Sequence, residues 1–531
     1  MLTEDISFAD GDIRGLARSP QGVLAFLGIP YAAPPLGRLR WRAPRDVESW
    51  QGRRDAAAFG RPAYAAAFPG TEPLTAGQSE DCLTLNVWTA ATTADEKRPV
   101  MVWIHGGGFE FGSSAWPAWG GGRYAQKGVV LVSFNYRLGV FGFLAHPDLD
   151  VEGPASGNFG LRDQIKALQW VQQNISRFGG DPGNVTVFGE SAGAHAIGLL
   201  MTSPMARGLF HRAIGQSGAW WDSEHGSIST RQEALVRTGQ LMKKLGVNSL
   251  AELCEVPAEK LNKASGWKFL LDPGTTAFAP IIDGDVLPRS PALVFERGEQ
   301  LDVPLLAGWN AEEHSYFMSR ALPAKPAAFR KAAAAQFGES HMADFLAAFP
   351  AATKAETMQS AEWLAGDLII SQQTWEWLGT HRKTSRSGVY GYNFEYTSPY
   401  STRAMHASEI PFVFGNLIAY PWVPKGVVAS PEDHQLSDLM MGYWINFARS
   451  GDPNDPAMPH WPVYEGAGSQ VMRFATKSAP AQERGTTRFQ FIQSFRKAGN
   501  FPASWREVEG RLPVLIAALI AKVVVRLKRA R

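Results

Sequence analysis

Three short stretches of the chain are apolar at almost every position: 98–105, 129–134 and 184–188. A strand with one wet face alternates apolar and polar residues. Runs without that alternation predict strands covered on both faces, as in a mostly parallel sheet with helices on each side. The first run ends at three glycines and the third at Gly189, both turn signals. Between the second and third runs, Ile165, Leu168, Val171 and Ile175 recur at three- and four-residue steps, which predicts a helix over 163–178 with one apolar stripe. Gly179-Gly180-Asp181-Pro182 stops it. Strand, helix, strand in that order predicts an α/β architecture with right-handed crossovers in one twisted sheet. Segments 331–349, interrupted at Gly338, and 371–382 also read as helices. The stretch 223–271 has helical composition without a chemical motif, as expected of inserted helices flanking a pocket.

The chemistry sits where these strands end. Val185-Thr186-Val187-Phe188 runs into Gly189-Glu190-Ser191-Ala192-Gly193 and then a start rich in small residues, so the chain reads strand, sharp turn, helix. Such a turn holds a serine strained and exposed above the sheet edge, with the amides and positive dipole end of the next helix beside it. A surface turn with a spare serine has the same five-residue pattern; the flanking strand and helix favour the nucleophile. His105-Gly106-Gly107-Gly108-Phe109 follows the first strand directly. A phosphate loop would need Gly-Lys-Ser/Thr after the glycines, and that is absent. Consecutive glycines can instead aim successive amides at one point, which suits the oxyanion of a tetrahedral intermediate. The expected donors are Gly107, Gly108 and Ala192.

With these motifs the chain resembles the type-B carboxylesterase and cholinesterase family, and within it the bacterial para-nitrobenzyl esterase branch. The resemblance runs in order through Phe26-Leu27-Gly28-Ile29-Pro30-Tyr31-Ala32, Ser79-Glu80-Asp81-Cys82-Leu83-Thr84-Leu85-Asn86, the glycine loop, Asn135-Tyr136-Arg137-Leu138-Gly139, the serine turn and Phe447-Ala448-Arg449-Ser450-Gly451-Asp452-Pro453-Asn454. It covers roughly residues 8 to 475. The resemblance implies an α/β-hydrolase fold, carboxylic ester hydrolysis without cofactor or metal, and a Ser-Glu-His triad in that chain order. Ser191 is then the nucleophile. Glu313, in Asn310-Ala311-Glu312-Glu313-His314, is the acid, with Glu312 as the other carboxylate in register. His406, in Met405-His406-Ala407-Ser408-Glu409, is the base, and Ala407 stands where the family often has glycine. His105 reads as a support for its loop. His195 lies one helical turn beyond Ser191 without an acid to orient it, and ranks below His406. The resemblance further implies Glu190 and Glu409 as a buried acidic pair near the imidazole, and Ser217 as a hydrogen-bonding partner toward the acid. It makes Arg137 with Asp163 a structural ion pair, and Tyr316 and Phe317 pocket aromatics; Trp220 and Trp221 are further candidates to line the acyl side, or core residues. Two rival readings differ in setting: a lipid-ester hydrolase held at a membrane, and a non-catalytic binding module of the same fold.

Composition changes this picture little. A net charge of +2 leaves no footprint for nucleic acid, so the expected partner is a small-molecule ester. No signal for an oligomeric state is visible. Two cysteines, Cys82 and Cys254, read as inert buried thiols rather than a disulfide framework. The length alone would suggest several domains, but the spread of motifs predicts one catalytic domain over 1–500 and a separate tail over 501–531. Within that tail, 512–527 is almost wholly apolar apart from Lys522 and Arg526, and the chain ends in a basic cluster. At about 1.5 Å per residue it falls short of a ~30 Å hydrocarbon core. It reads either as a packed terminal helix or as a helix lying on an anionic membrane surface. The first residues lack a basic segment followed by an apolar run, so the expected location is cytoplasmic, peripheral to the membrane if the tail engages it.

Overall fold

A computed structural model of the chain describes residues 2–65, 77–151, 156–219, 228–265, 278–313, 325–417, 423–424 and 426–497. The expected tail over 501–531 and the aromatics Trp220, Trp221, Tyr316 and Phe317 lie outside the described residues. Among the described residues no helix is long and apolar enough to cross a membrane.

Among the described residues ten strands form one sheet: β1 Leu24–Pro30, β2 Thr84–Thr89, β3 Arg98–Ile104, β4 Val130–Phe134, β5 Gly180–Glu190, β6 Arg212–Gln216, β7 Leu305–Asn310, β8 Val389–Phe394, β9 Gln470–Phe474 and β10 Ala479–Gln482. Their spatial order is β10-β9-β8-β7-β6-β5-β3-β4-β2-β1. From β4 through β9 every neighbouring pair is parallel, and the antiparallel pairs stand at the two edges. The helices used below are α1 Phe159–Asn174, α2 Ala192–Thr202, α3 Arg231–Leu245, α4 Pro326–Phe337, α5 Lys354–Gly366, α6 Gln372–Thr384, α7 Ile410–Phe414, α8 Pro431–Ser450 and α9 Thr486–Lys497.

β3 shows why its sequence lacks alternation. Val100, Val102 and Ile104 pack into the core on one face, with Leu168 and Val171 of α1. Met101 and Trp103 pack into the core on the other, with Met440 and Trp444 of α8. Successive side chains point to opposite faces, and both faces are roofed by helices, so every position from Val100 to Ile104 is apolar. Each such fully buried aliphatic side chain contributes about 1.5–3 kcal/mol relative to exposure.

The helix expected over 163–178 begins four residues earlier, at Phe159, and its last turn, Ile175–Phe178, is a 3-10 helix. The polar run Arg162-Asp163-Gln164 concealed that start. These residues are buried: Arg162 pairs with Asp285, and Asp163 accepts from the Arg137 amide, Nε and Nη2 at 3.0, 2.8 and 2.7 Å. The helix over 331–349 is two helices, Pro326–Phe337 and Met342–Ala348, parted at Gly338 as read. Both cysteines are unpaired thiols, but only Cys82 is buried. Cys254 is partly exposed, because it closes a five-residue surface helix, Leu250–Cys254.

Four loops leave the carboxyl ends of neighbouring parallel strands: the glycine loop after β3, Ser191 after β5, Ser217 after β6 and the acid loop after β7. Ligands of open α/β sheets bind at that edge.

Candidate active site

The nucleophile turn is strained as its sequence requires. Ser191 has φ 54° and ψ −124° and stands as the N-cap of α2. That conformation is costly for a residue with a Cβ and persists only where surroundings enforce it. The Ser191 amide donates to the Gln216 carbonyl at 2.9 Å, and the His195 amide donates to the Ser191 carbonyl at 2.9 Å. Gly193 is obligatory, since a Cβ there would lie 2.0 Å from the Ile104 carbonyl oxygen. Ala192 is the first residue of α2, so its amide has no partner within the helix and faces outward at the dipole's positive end.

The glycine loop passes directly against this turn. A Cβ on Gly106 would sit 3.1 Å from Ser191 Cβ. Gly107, Gly108 and Phe109 have φ of 110°, 62° and 60°, three successive residues on the left-handed side. A Cβ on Gly107 would meet the Phe111 carbonyl oxygen at 2.2 Å, so the curl of the loop depends on glycine there. His105 supports it from below: its ring stacks on Tyr136 at 4.6 Å, and the Tyr136 hydroxyl donates to the His105 carbonyl at 3.0 Å. Burial pushes the His105 imidazole down to about 4, against a smaller upward pull from the Gly106 carbonyl at 2.9 Å. It is a neutral brace, as its sequence position suggested.

The expected acid and base come together because their loops zip. Glu312 and Met405 form a parallel bridge, the Glu312 amide donates to the Ala404 carbonyl at 2.8 Å, and Asn310 Nδ2 donates to the Met405 carbonyl at 2.7 Å. This leaves Glu313 and His406 side by side, both buried, with His406 Nδ1 2.6 Å from Glu313 Oε2. The other oxygen, Oε1, accepts from the Asn310 amide at 2.7 Å. Glu312 points elsewhere and pairs with Arg403. Ala407, next to the base, has φ 68°. A left-handed residue with a Cβ costs about 1–2 kcal/mol, a cost that glycine would avoid. Ala407→Gly is expected to fold within about 1 kcal/mol of the parent, whereas the β-branched Ala407→Val loses about 2 kcal/mol or more. Urea denaturation reads both, and a valine variant as stable as the parent would contradict the strain.

Glu190 and Glu409 complete the cluster. His406 Nε2 lies 3.1 Å from Glu190 Oε1, a close ion-pair contact whose angle falls outside hydrogen-bond geometry. Because Glu190 directly precedes Ser191, this contact sets the imidazole at the nucleophile turn. Glu409 is fully buried and accepts from Gln216 Nε2 at 2.9 Å and Asn310 Nδ2 at 2.6 Å. Burial opposes the imidazolium, but Glu190, Glu313 and Glu409 together outweigh it and raise His406 to about 9. Burial, moderated by His406 and reinforced by the other two carboxylates, pushes Glu190 up to about 8. Glu190→Gln removes one anion facing the imidazolium, so the His406 pKa falls. The acidic limb of kcat/KM for a p-nitrophenyl ester is then expected to move to lower pH by about one pH unit; an unmoved or raised limb would contradict this.

Ser217 follows β6 at φ 52°, its amide donating to the Gly308 carbonyl at 2.8 Å. Its buried Oγ has no hydrogen-bond partner among the described residues, so it does not bond to Glu313 as the resemblance implied. The hydrogen bonds holding the acids come from Asn310 and Gln216, two residues to which the sequence reading gave no role. Each is the last residue of its strand, β7 and β6 respectively, and that position is the signal that could have found them.

The arrangement can activate a hydroxyl, shuttle its proton and cradle an oxyanion, and comparison with known proteins agrees. The model of the Carboxylesterase family matches residues 3–492. The chain is 37% identical over 480 residues to the fumonisin B1 esterase of Sphingopyxis macrogoltabida, covering 88% of this chain and 86% of that protein. It is 35% identical over 469 residues to the para-nitrobenzyl esterase of Bacillus subtilis (strain 168), covering 86% and 91%. A solved PNB esterase structure superposes with a TM-score of 0.77 at 32% identity, covering 92% of this chain and all of that one. The chain belongs to the carboxylesterase family and is a carboxylester hydrolase with the α/β-hydrolase fold.

Proposed function

We propose that Ser191, Glu313 and His406 hydrolyse carboxylic esters through an acyl-enzyme. The observation that carries this reading is the placement of His406, with Nδ1 on Glu313 and Nε2 at the turn that bears Ser191. His406 takes the Ser191 proton as Oγ attacks the ester carbonyl. Glu313 fixes the imidazole tautomer with Nδ1 protonated and stabilises the charge that forms. The amides of Gly107, Gly108 and Ala192 bind the oxyanion, each such donor being worth roughly 2.7–4 kcal/mol of barrier. His406 then gives its proton to the departing alcohol. Water repeats the sequence on the acyl-enzyme, releasing the acid and restoring Ser191.

Glu190 and Glu409 favour the imidazolium formed at each transfer. Labelling by a fluorophosphonate tests the assignment: one adduct at Ser191 is expected, abolished in Ser191→Ala, and an adduct that survives that change would overturn it. A lining role for Trp220, Tyr316 and Phe317, and peripheral membrane contact through 501–531, rest on sequence alone.

A further inference from the structure

Between α5 and α6 the backbone opens into one π-helical turn, Asp367–Ser371. Such turns break helical regularity at a cost and concentrate at functional sites. This one packs against β7, the strand that ends at Asn310 and delivers Glu313. Asp367 is buried, and its Oδ2 accepts from Arg488 Nε at 2.6 Å. Arg488 belongs to α9 and lies over the Trp363 ring at 4.4 Å. Two turns further along α9, Arg496 Nη2 donates to the Leu368 carbonyl at 3.2 Å, and Arg496 also bonds Gln372. The residue after Arg488, Phe489, meets the edge of Trp309 at 5.4 Å, and Trp309 immediately precedes Asn310. The last described helix thus grips the wide turn and the end of β7 at once.

We propose that the Asp367–Arg488 pair is a positioning element for the catalytic acid, fixing the end of β7 and the electric field at Glu313. The proposal rests on the assignment of Glu313 to the triad. Among the described residues three groups face Asp367: Arg488 from α9, Ser371 from its own turn, and Glu313 from the acid loop. Burial pushes the Asp367 carboxyl up, Arg488 opposes that, and the Glu313 anion adds to it. Among the described residues, the groups facing His406 include Glu190, Glu313, Glu409 and His195. Stripped of Arg488, the buried Asp367 carboxyl takes up a proton and the wide turn loses its grip on α9, whereas Arg488 stripped of Asp367 leaves a net cation beside the end of β7. Neutralising each other, the two leave the Glu313–His406 pair to its own partners.

The test uses the full-length enzyme with p-nitrophenyl acetate, comparing Asp367→Asn, Arg488→Gln and the double variant. Each single change is expected to lower kcat roughly tenfold with KM nearly constant. The acidic limb of kcat/KM moves to lower pH in Asp367→Asn, where a cation is left unbalanced. In Arg488→Gln, where Asp367 is left as a neutral acid, the limb stays near the parent's while kcat falls, and the double variant returns the limb of Asp367→Asn toward the parent. A limb that stays put in Asp367→Asn, or that moves the same way in both single variants while thermal stability falls, would show a merely structural ion pair and overturn the proposal. If Arg488→Gln does not fold, Asp367→Asn alone decides, since an unmoved limb there is enough to overturn it. An inactive Ser191→Ala enzyme alongside unmoved limbs retires this proposal and leaves the triad; an active one retires both.

Discussion

Replacing Ser191 with alanine is expected to lower kcat for a p-nitrophenyl ester by roughly a million-fold, the loss seen when a serine hydrolase is deprived of its nucleophile. The turn explains why nothing nearby compensates. Ser191 is held at φ 54°, ψ −124° at the head of α2, against the glycine loop and one residue after Glu190, which His406 Nε2 contacts. His195, the other imidazole close by, is held neutral by its buried setting and by the charge on His406. The cradle of amides survives the substitution, so a residual rate of about 10³–10⁴ over water is expected to remain. Turnover above about one thousandth of the parent would mean a different nucleophile.

The second large effect separates two adjacent carboxylates. Glu313→Gln is expected to lower kcat roughly 10⁴-fold, as when the acid of a serine triad is made an amide. Glu313 uses one oxygen on the Asn310 amide and the other on His406 Nδ1. A glutamine keeps one acceptor oxygen and brings an NH₂ that must face a donor or force His406 to present a bare Nδ1. In the second case Nε2 carries the proton and can no longer accept one from Ser191. Glu312→Gln is expected to change kcat only a few-fold, because the Glu312 side chain is about one-third exposed and pairs with the more exposed Arg403; exposed pairs are worth about 0–1 kcal/mol. Steady-state kinetics on the two variants decides the register, and a more damaging Glu312→Gln would place the acid one residue earlier.

The parts of this site legible in sequence are those whose chemistry needs neighbours in the chain. Gly189, Ser191 and Gly193 must be contiguous because they make one turn, and Gly106 to Gly108 because they make one cradle. Glu313 and His406 came from a resemblance, since nothing local distinguishes a triad glutamate from Glu312 beside it. Asn310, inside a quoted motif, and Gln216, beside Ser217, carry no local sign of their task, which is set by Glu313 and Glu409 and arises only after folding. Asp367 and Arg488 were more hidden still. They are far apart in the chain and belong to segments without any motif, and the π-turn between α5 and α6 leaves the apolar pattern of a helix almost undisturbed. The start of α1 was missed for a related reason: Arg162 and Asp163 look solvated until their partners are known.

His105 has a consequence for how the enzyme can be assayed. A histidine in an oxyanion loop would ordinarily make a rate profile ambiguous, because two imidazoles could ionise over the same range. Here the ring is sealed against Tyr136, its Nδ1–H is spent on the Gly106 carbonyl, and it gains a proton only near pH 4. Across the working range of a p-nitrophenyl assay the cradle is electrically silent. A single-step acidic limb can therefore be assigned to His406 and its carboxylates without a correction for the loop, and ester turnover becomes a direct voltmeter for the charges around one buried ring.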